Sequence, residues 1–429
     1  MTAPLRLAIA GLGTVGGGVL RLLQSRHSEF KERAGRDIVC VLASARDKRK
    51  KRNVDLAGIP WADDMETIIR SDAELVVELI GGEDGAARQL VEGALASGKH
   101  VVTANKALLA HRGAMLAALA EEKNVTLRFE AAAAGGIPIV GTLRESLIAY
   151  DINAVRGILN GTCNYILTQM EATGRPFAEI LADAQKLGFA EADPTLDISG
   201  GDTAHKLALL ASLAFGIKPD LANIPIQGIS HIAPQDIAFA REFSRRIKLL
   251  GVARRVGDAI DQRVEPAMVR LGTPLADVDG AFNAVVAHAG QAGPFFFEGG
   301  GAGEAPTTSA VIADIIDIAR GNVFPAFGRP AHALRAARPA PAELIKSPFY
   351  LRFDVLDVPG VVAEIASHLA QSAISIESML QRGRAPGEPV SIVMLTHECS
   401  HAAVAGALQV IAASDRVLGP PCMIPMEAG

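Results

Sequence analysis

Aromatic side chains are scarce, 4% of 429 residues with a single Trp, which leaves little for the base-stacking platforms of a single-strand binder. Neither sign of charge dominates. The 42 Lys and Arg against 47 Asp and Glu leave −5 at pH 7, too slight to point to nucleic acid or to a strongly charged partner. Cysteine is rare as well: Cys40, Cys163, Cys399 and Cys422 lie far apart without a CxxC pair. They read as reduced thiols of a cytoplasmic protein rather than as a disulfide framework. No run reaches 18 apolar residues, so no membrane span is expected. The opening LRLAIAGLGTVGGGVLRLL lacks the basic start of a signal peptide, and glycines break its apolar stretch. What the chain has in quantity is Gly (42) and apolar residues (49%), as close helix–sheet packing requires. Its length exceeds what one core organises, so two or three domains are expected.

Five short apolar strands are predicted in the first third: 5–10, 38–44, 74–80, 100–104 and 125–131. Helical segments separate them, including one amphipathic helix over 19–32 and others over 87–97 and 108–122. Near-continuous apolar strands alternating with helices imply a parallel, doubly wound sheet. After about residue 150 the pattern changes to alanine-rich helices over 163–187 and 202–216, with strand-like IPIQGI and QRVEPAMVRL beyond them. The Pro-, Ala- and Arg-rich stretch 325–348 reads as a linker. A last unit of about 80 residues has βαβ character, and no long-period repeat is present.

GLGTVGGG follows the first strand directly. Gly11, Gly13 and Gly16 supply GxGxxG, whose glycines allow a tight turn, close approach to a pyrophosphate and close helix–strand packing. The helix that begins with Thr14 and Val15 offers amides and a positive dipole end to phosphates. At the tip of the second strand, where an NAD enzyme keeps an acid for the ribose 2′-hydroxyl, stands Ser44-Ala45-Arg46, followed by Lys48, Arg49, Lys50 and Lys51. A guanidinium there favours the 2′-phosphate of NADP, with NAD still possible; the bland reading is a solvated basic loop.

With GLGTVGGG, VTANKALLA, FEAAAAGGIPIV, GILNGTCNYIL and GFAEADPTLDISGGDTAHKLALLA in this order and spacing, the chain resembles the homoserine dehydrogenases over essentially its whole length. The resemblance implies an α/β protein with three parts. A Rossmann-type nucleotide-binding domain would span 1–149, completed by about 303–325. An α+β catalytic and dimerisation domain would span 150–302. A linker, 326–347, would lead to a ferredoxin-like ACT domain over 348–429. It implies reversible reduction of L-aspartate 4-semialdehyde to L-homoserine, on the route to threonine, methionine and isoleucine, by a cytoplasmic homodimer or homotetramer. The chain starts at the nucleotide fold, so no fused aspartokinase is expected.

Asp202 and Lys206 are four residues apart and share a helix face that continues through Leu209 and Leu213. Hydride addition to an aldehyde makes an alkoxide, and a Lys ammonium, with a reference pKa of about 10.4, carries a proton for it at neutral pH. By resemblance Lys206 is that donor, Asp202 positions it or the substrate, and Glu191, Asp197 and Asp202 meet the substrate ammonium. Lys106, past the fourth strand, is expected to orient the aldehyde or nicotinamide beside Thr103, at the strand ends where open α/β sheets bind ligands. Gly188 and Gly303 are expected near the cofactor. The family also implies a monovalent cation, sodium or potassium, on the Glu130 carboxylate and the carbonyls of Ala133, Gly135 and Ile137, a hard donor set.

YLRFDVLDVPGVVAEIASHLAQSAISIESML resembles an ACT domain, a βαββαβ module that binds amino acids. Pro359 and Gly360 shape a helix start that could hold a ligand carboxylate, and threonine is the expected effector of a separable module. The alternative is a module that only pairs subunits. His397-Glu398-Cys399-Ser400-His401 spells HExxH, but zinc chemistry needs both histidines on one helical turn, and here a strand is expected to end. Two rivals remain: another semialdehyde or amino-acid oxidoreductase on this scaffold, and a catalytically dead NADP-binding sensor.

Overall fold

The computed structural model describes residues 3–382 and 389–427. Strands β1 (Leu5–Ala10), β2 (Ile38–Ser44), β3 (Leu75–Glu78), β4 (His100–Thr103) and β5 (Leu127–Arg128) form a parallel sheet in the order β2-β1-β3-β4-β5. All of β3 is buried, and so is β1 apart from Arg6, because helices cover both faces; that is why these strands read as unbroken apolar runs. The helix Glu304–Ala319 returns to this layer late in the chain. Its Val311, Ile312 and Ile315 share a buried cluster with Leu5, Leu7 and Ile9.

Several elements are shorter than their sequence pattern. The helix expected over 19–32 is two, Thr14–Ser25 and His27–Ala34, broken at Arg26. The 163–187 helix is also two, Gly161–Thr173 and Phe177–Lys186. Gly174 takes a left-handed C-cap and Pro176 cannot donate an amide, so apolar periodicity runs straight through a chemical stop. IPIQGI makes only an isolated bridge, Ile226 to Val264. The fifth strand stops at Arg128 and turns at Glu130–Ala132.

The second sheet has nine strands. β6 (Ala154–Ile158), β7 (Arg245–Val256), β8 (Ala259–Arg270), β9 (Phe282–His288) and β10 (Pro294–Gly300) come from the middle of the chain. The tail adds β11 (Lys346–Ser347), β12 (Phe349–Leu356), β13 (Ile376–Gln381), β14 (Pro389–Thr396), β15 (Cys399–Ser400) and β16 (Cys422–Glu427). The order is β10-β9-β6-β7-β8-β16-β12-β14-β13, with β11 and β15 paired separately. Thus β16 lies parallel to β8, Met426 opposite Met268 and Glu427 opposite Val269.

This corrects the expectation of a separable tail. One sheet runs through both parts, and charge ties them further. The buried Arg263 guanidinium pairs with Asp261, Glu265 and the tail's Glu427. Asp236 accepts from Tyr350 Oη at 2.9 Å and Arg352 Nε at 2.7 Å. The connecting stretch is a packed strap rather than a tether: Ala326, Phe327, Ala331 and Leu334 are buried, and Arg335 and Pro339 bridge to Ile217 and Ile260. His397 follows the end of β14, whereas His401 opens the helix His401–Ile411, so the two histidines do not share a turn. Among the described residues no helix is long and apolar enough to cross a membrane.

Candidate active site

The glycine loop leaves β1 and enters the helix Thr14–Ser25 with Gly13 as its N-cap and no side chain capping it. The amides of the first turn are therefore unclaimed by the helix itself. Gly11 has φ of 101°, and a Cβ on it would stand 2.4 Å from Leu79 O; one on Gly16 would stand 2.0 Å from Gly11 O. A Cβ on Gly13 would meet nothing within 4 Å. Two of the three glycines are thus demanded by the fold, and the third faces open space where a phosphate can approach. Val15 O accepts from Thr308 Oγ1 at 3.4 Å, which ties the loop to the returning helix.

Arg46 lies exposed two residues after Ser44, whose carbonyl accepts the Gly11 amide at 2.8 Å. Arg52 was not singled out by sequence, yet it is the residue bound to the loop. Its Nε donates to Leu12 O at 2.9 Å, and its guanidinium sits 5.5 Å from the Trp61 ring centroid. A basic run hides which of its members is structural.

A cavity of about 580 Å³ opens between the two sheets, and Lys106, Glu191, Asp197, Asp202 and Lys206 line it. Gly135, Gly188 and Gly303 contribute backbone to the same wall. The helix Gly201–Phe215 is buried on all sides except at Gly201 and His205. Its first turn therefore delivers Asp202 and Lys206 to the cavity rather than to solvent. Lys206 Nζ donates to Leu159 O at 2.7 Å and Asp202 Oδ2 at 2.8 Å, leaving its third N–H for a ligand. Asp202 Oδ1 lies 3.1 Å from Lys106 Nζ. Burial works to raise the Asp202 pKa, but the two ammonium groups overcome it and hold the carboxyl well below the usual range. Asp202 is an anion clamped between two cations.

Asn160 holds the next carboxylate. It N-caps the helix Gly161–Thr173 through the Cys163 amide at 2.8 Å. Its Nδ2 donates to Asp197 Oδ1 at 2.8 Å and Asp202 Oδ2 at 2.9 Å. Asp197 is pushed above its ordinary pKa by burial, against the Asn160 hydrogen bond and with Asp202 adding repulsion. The signal for Asn160 was present in NGT, an Asn directly before a helix.

Thr103 departs from its expected place. It is fully buried, and its Oγ1 donates to Glu78 Oε2 at 2.5 Å and accepts from Asn105 N at 2.9 Å. Asn105 caps the helix Lys106–Glu122 through Leu108 N at 3.1 Å. Thr103 therefore fixes the turn that aims Lys106 and does not face the cavity.

Glu130 is buried, accepting from Val140 N at 2.9 Å and Gly141 N at 2.7 Å, while Asp314 Oδ2 accepts from Glu130 N at 2.8 Å. Burial raises the pKa of Glu130. Burial, then the neighbouring Glu130, push Asp314 up to about 7. Ala133 and Ile137 are buried beside them, and Gly135 takes φ of 58° against Gly301. Two carboxyls and a run of turn carbonyls are concentrated here; Asp314, nearly 200 residues away in sequence, carried no local signal.

Three family models match in series: "Homoserine dehydrogenase, NAD binding domain" over 11–130, "Homoserine dehydrogenase" over 138–316, and "ACT domain" over 349–415. A homoserine dehydrogenase of Neisseria gonorrhoeae is 42% identical over 431 aligned residues, covering 99% of each chain. That of Pseudomonas aeruginosa is 40% identical over 99% of each. The crystal structure of a homoserine dehydrogenase from Thiobacillus denitrificans superposes with a TM-score of 0.93 at 41% identity, again covering 99% of both. A glycine-rich nucleotide loop, a carboxylate clamped between two lysines, and kinship over 99% of each relative's chain agree: the chain belongs to the homoserine dehydrogenase family.

Proposed function

We propose that this chain reduces L-aspartate 4-semialdehyde to L-homoserine, reversibly and with preference for NADP, in the biosynthesis of threonine, methionine and isoleucine. The observation that carries the reading is the Lys206–Asp202–Lys106 cluster at the wall of the cavity between the sheets. Gly11, Gly13, Thr14, Val15 and Gly16 would hold a nicotinamide cofactor, which when bound would supply the hydride. Lys206 points its uncommitted N–H at the carbonyl oxygen and gives up a proton as alkoxide character develops. Asp202 stays ionised and keeps Lys206 in place. Lys106 lies across the same carboxylate, where it steadies the reacting oxygen. Glu191 and Asp197 offer carboxylates to the substrate ammonium, and Gly188 and Gly303 leave backbone room for the cofactor.

Arg46 supports the NADP preference by its charge at the strand tip. The chemistry around Glu130 fits a monovalent cation: two adjacent buried carboxyls are pushed up by burial although Arg144 works against it at both, and one cation would offset the remainder. Glu130 with the carbonyls of Ala133, Gly135 and Ile137 would hold it, steadying the crossing between the sheets. Amino-acid binding to the ACT module, with threonine as the effector, and a homodimeric or homotetrameric assembly in the cytoplasm complete the proposal. The test is NADPH oxidation with L-aspartate 4-semialdehyde beside other aldehydes. Equal rates with unrelated aldehydes overturn the substrate, and no rate with any of them favours the sensor reading.

A further inference from the structure

A second cavity, of about 480 Å³, lies at the seam between the central sheet and the tail module, away from the lysine cluster. Its lining is cationic: Arg156, Arg245, Arg254, Arg270 and Lys346 face only Glu398 and Glu427. Two of the cations are already matched. Arg156 pairs with Glu427 at 3.2 Å, and Arg254 with Asp261 at 2.8 Å. The others are not. Arg245, Arg270 and Lys346 make no ion pair and no side-chain hydrogen bond among the described residues.

The arrangement of the unmatched pair is costly. Arg245 and Arg270 are directly opposite one another in the β7–β8 register, so their side chains leave the same face, and like charges so placed destabilise a sheet. Burial works against the Arg245 charge, and the repulsion from Arg270 comes on top of it, with Glu377 acting in the opposite direction and outweighing Arg270. Arg245 is half-buried while Arg270 and Lys346 reach solvent, and Met426 and Glu427 of β16 with Ser347 and Pro348 of the tail line the rest of the space. The volume is in the range of small-metabolite sites, and guanidinium forks match the paired oxygens of phosphate or carboxylate.

We propose that this seam is a binding site for a small oxyanionic metabolite, a phosphate monoester or a polycarboxylate, gripped by Arg245 and Arg270 from the central sheet and Lys346 from the tail. Because its walls come from both parts, occupancy favours the docked arrangement of the module. It is separate from the Pro359–Gly360 turn and from the nucleotide loop.

The full-length protein is tested with its nucleotide site saturated by NADP, so that the glycine loop cannot take up the probe. Thermal midpoints are measured at constant ionic strength as chloride is exchanged for inorganic phosphate, and separately for citrate. The wild type is expected to rise with millimolar phosphate or citrate beyond its response to chloride. Arg270→Gln, and independently Lys346→Gln should the first fold poorly, are expected to raise the half-saturating concentration at least tenfold. Aldehyde reduction without added anion should stay within twofold. Arg270→Gln should also melt higher than wild type in chloride, since the opposed charge is gone. A response to phosphate alone assigns the site to phosphate monoesters, and to citrate alone, to polycarboxylates. Responses no larger than that to chloride, or undiminished in the Arg245→Gln/Arg270→Gln double variant, overturn the proposal. So does a change in assembly size in place of a lost response, which would make the pair a contact between copies.

Discussion

Replacing Lys206 by Met removes one of the two cations that clamp Asp202 and keeps the bulk of the side chain. Turnover should fall by about 10²–10⁴-fold, the usual worth of a positioned acid, or roughly 3–5 kcal/mol of barrier at 1.36 kcal/mol per decade. Stability should change too, by an amount the geometry bounds. Stripping one partner from a buried ion pair costs about 3–5 kcal/mol when the survivor is left alone. Asp202 is not left alone: Lys106 remains 3.1 Å from Oδ1, and Asn160 donates to Oδ2 at 2.9 Å. A loss of about 1–3 kcal/mol is therefore expected. Its pH dependence identifies the cause. The Asp202 pKa is depressed in the folded chain, so the clamp's contribution is fully present above the unfolded value near 4 and is lost as pH falls through the folded one. The deficit of the variant should accordingly be complete at pH 7 and shrink below about pH 4. Urea unfolding at several pH values, with steady-state NADPH oxidation at pH 7, measures both. Wild-type kcat in a variant that still binds NADPH refutes the donor role. A deficit that stays unchanged as pH is lowered through the depressed folded-state pKa of Asp202, well below the usual carboxylate range, refutes the clamp.

Arg46→Asp should raise the KM for NADPH more than that for NADH; equal changes make Arg46 part of a solvated loop. Gly13→Ala should fold with near-normal stability and bind cofactor weakly, because its Cβ meets only open space. Gly16→Ala should lose about 1–3 kcal/mol as well, since its Cβ strikes Gly11 O; equal unfolding midpoints for the two would contradict the loop geometry. Truncation after residue 347 strips β16 from β8 and the Glu427 carboxylate from Arg263. Its product should be insoluble or far less stable, and a soluble, fully active fragment would show that the shared sheet contributes little. Threonine at millimolar concentration should lower the activity of the full-length protein, and an unchanged rate leaves the module an assembly role.

The parallel sheet was legible because strands buried on both faces write themselves as apolar runs; all five were visible, with ends off by a few residues where Glu130 and the loop at Ile80 turn. The lysine–aspartate pair was legible because four-residue spacing places both on one face. Asn160 and Glu78 were harder, since a residue that holds another in place has no chemistry of its own to announce. Arg52 was masked by its basic neighbours. Asp314 and Glu427 act across long sequence separations, which no local pattern encodes. The bond between β16 and β8 is of the same kind, and a proline-rich connector misleadingly suggested independence.

That pairing also sets an order of events during synthesis. The edge of β8 waits for a strand about 150 residues further on, which at 5–20 residues per second is roughly 8–30 s of translation. Throughout that interval the nascent chain carries an incomplete sheet whose buried Arg263 lacks the Glu427 carboxylate. The nucleotide layer waits as well, for the helix that begins at Glu304. Neither layer can mature as the ribosome passes it: the nucleotide layer closes once the helix ending at Ala319 has emerged, and the central sheet only once β16 has. Chaperone demand should therefore concentrate in the interval between those two events.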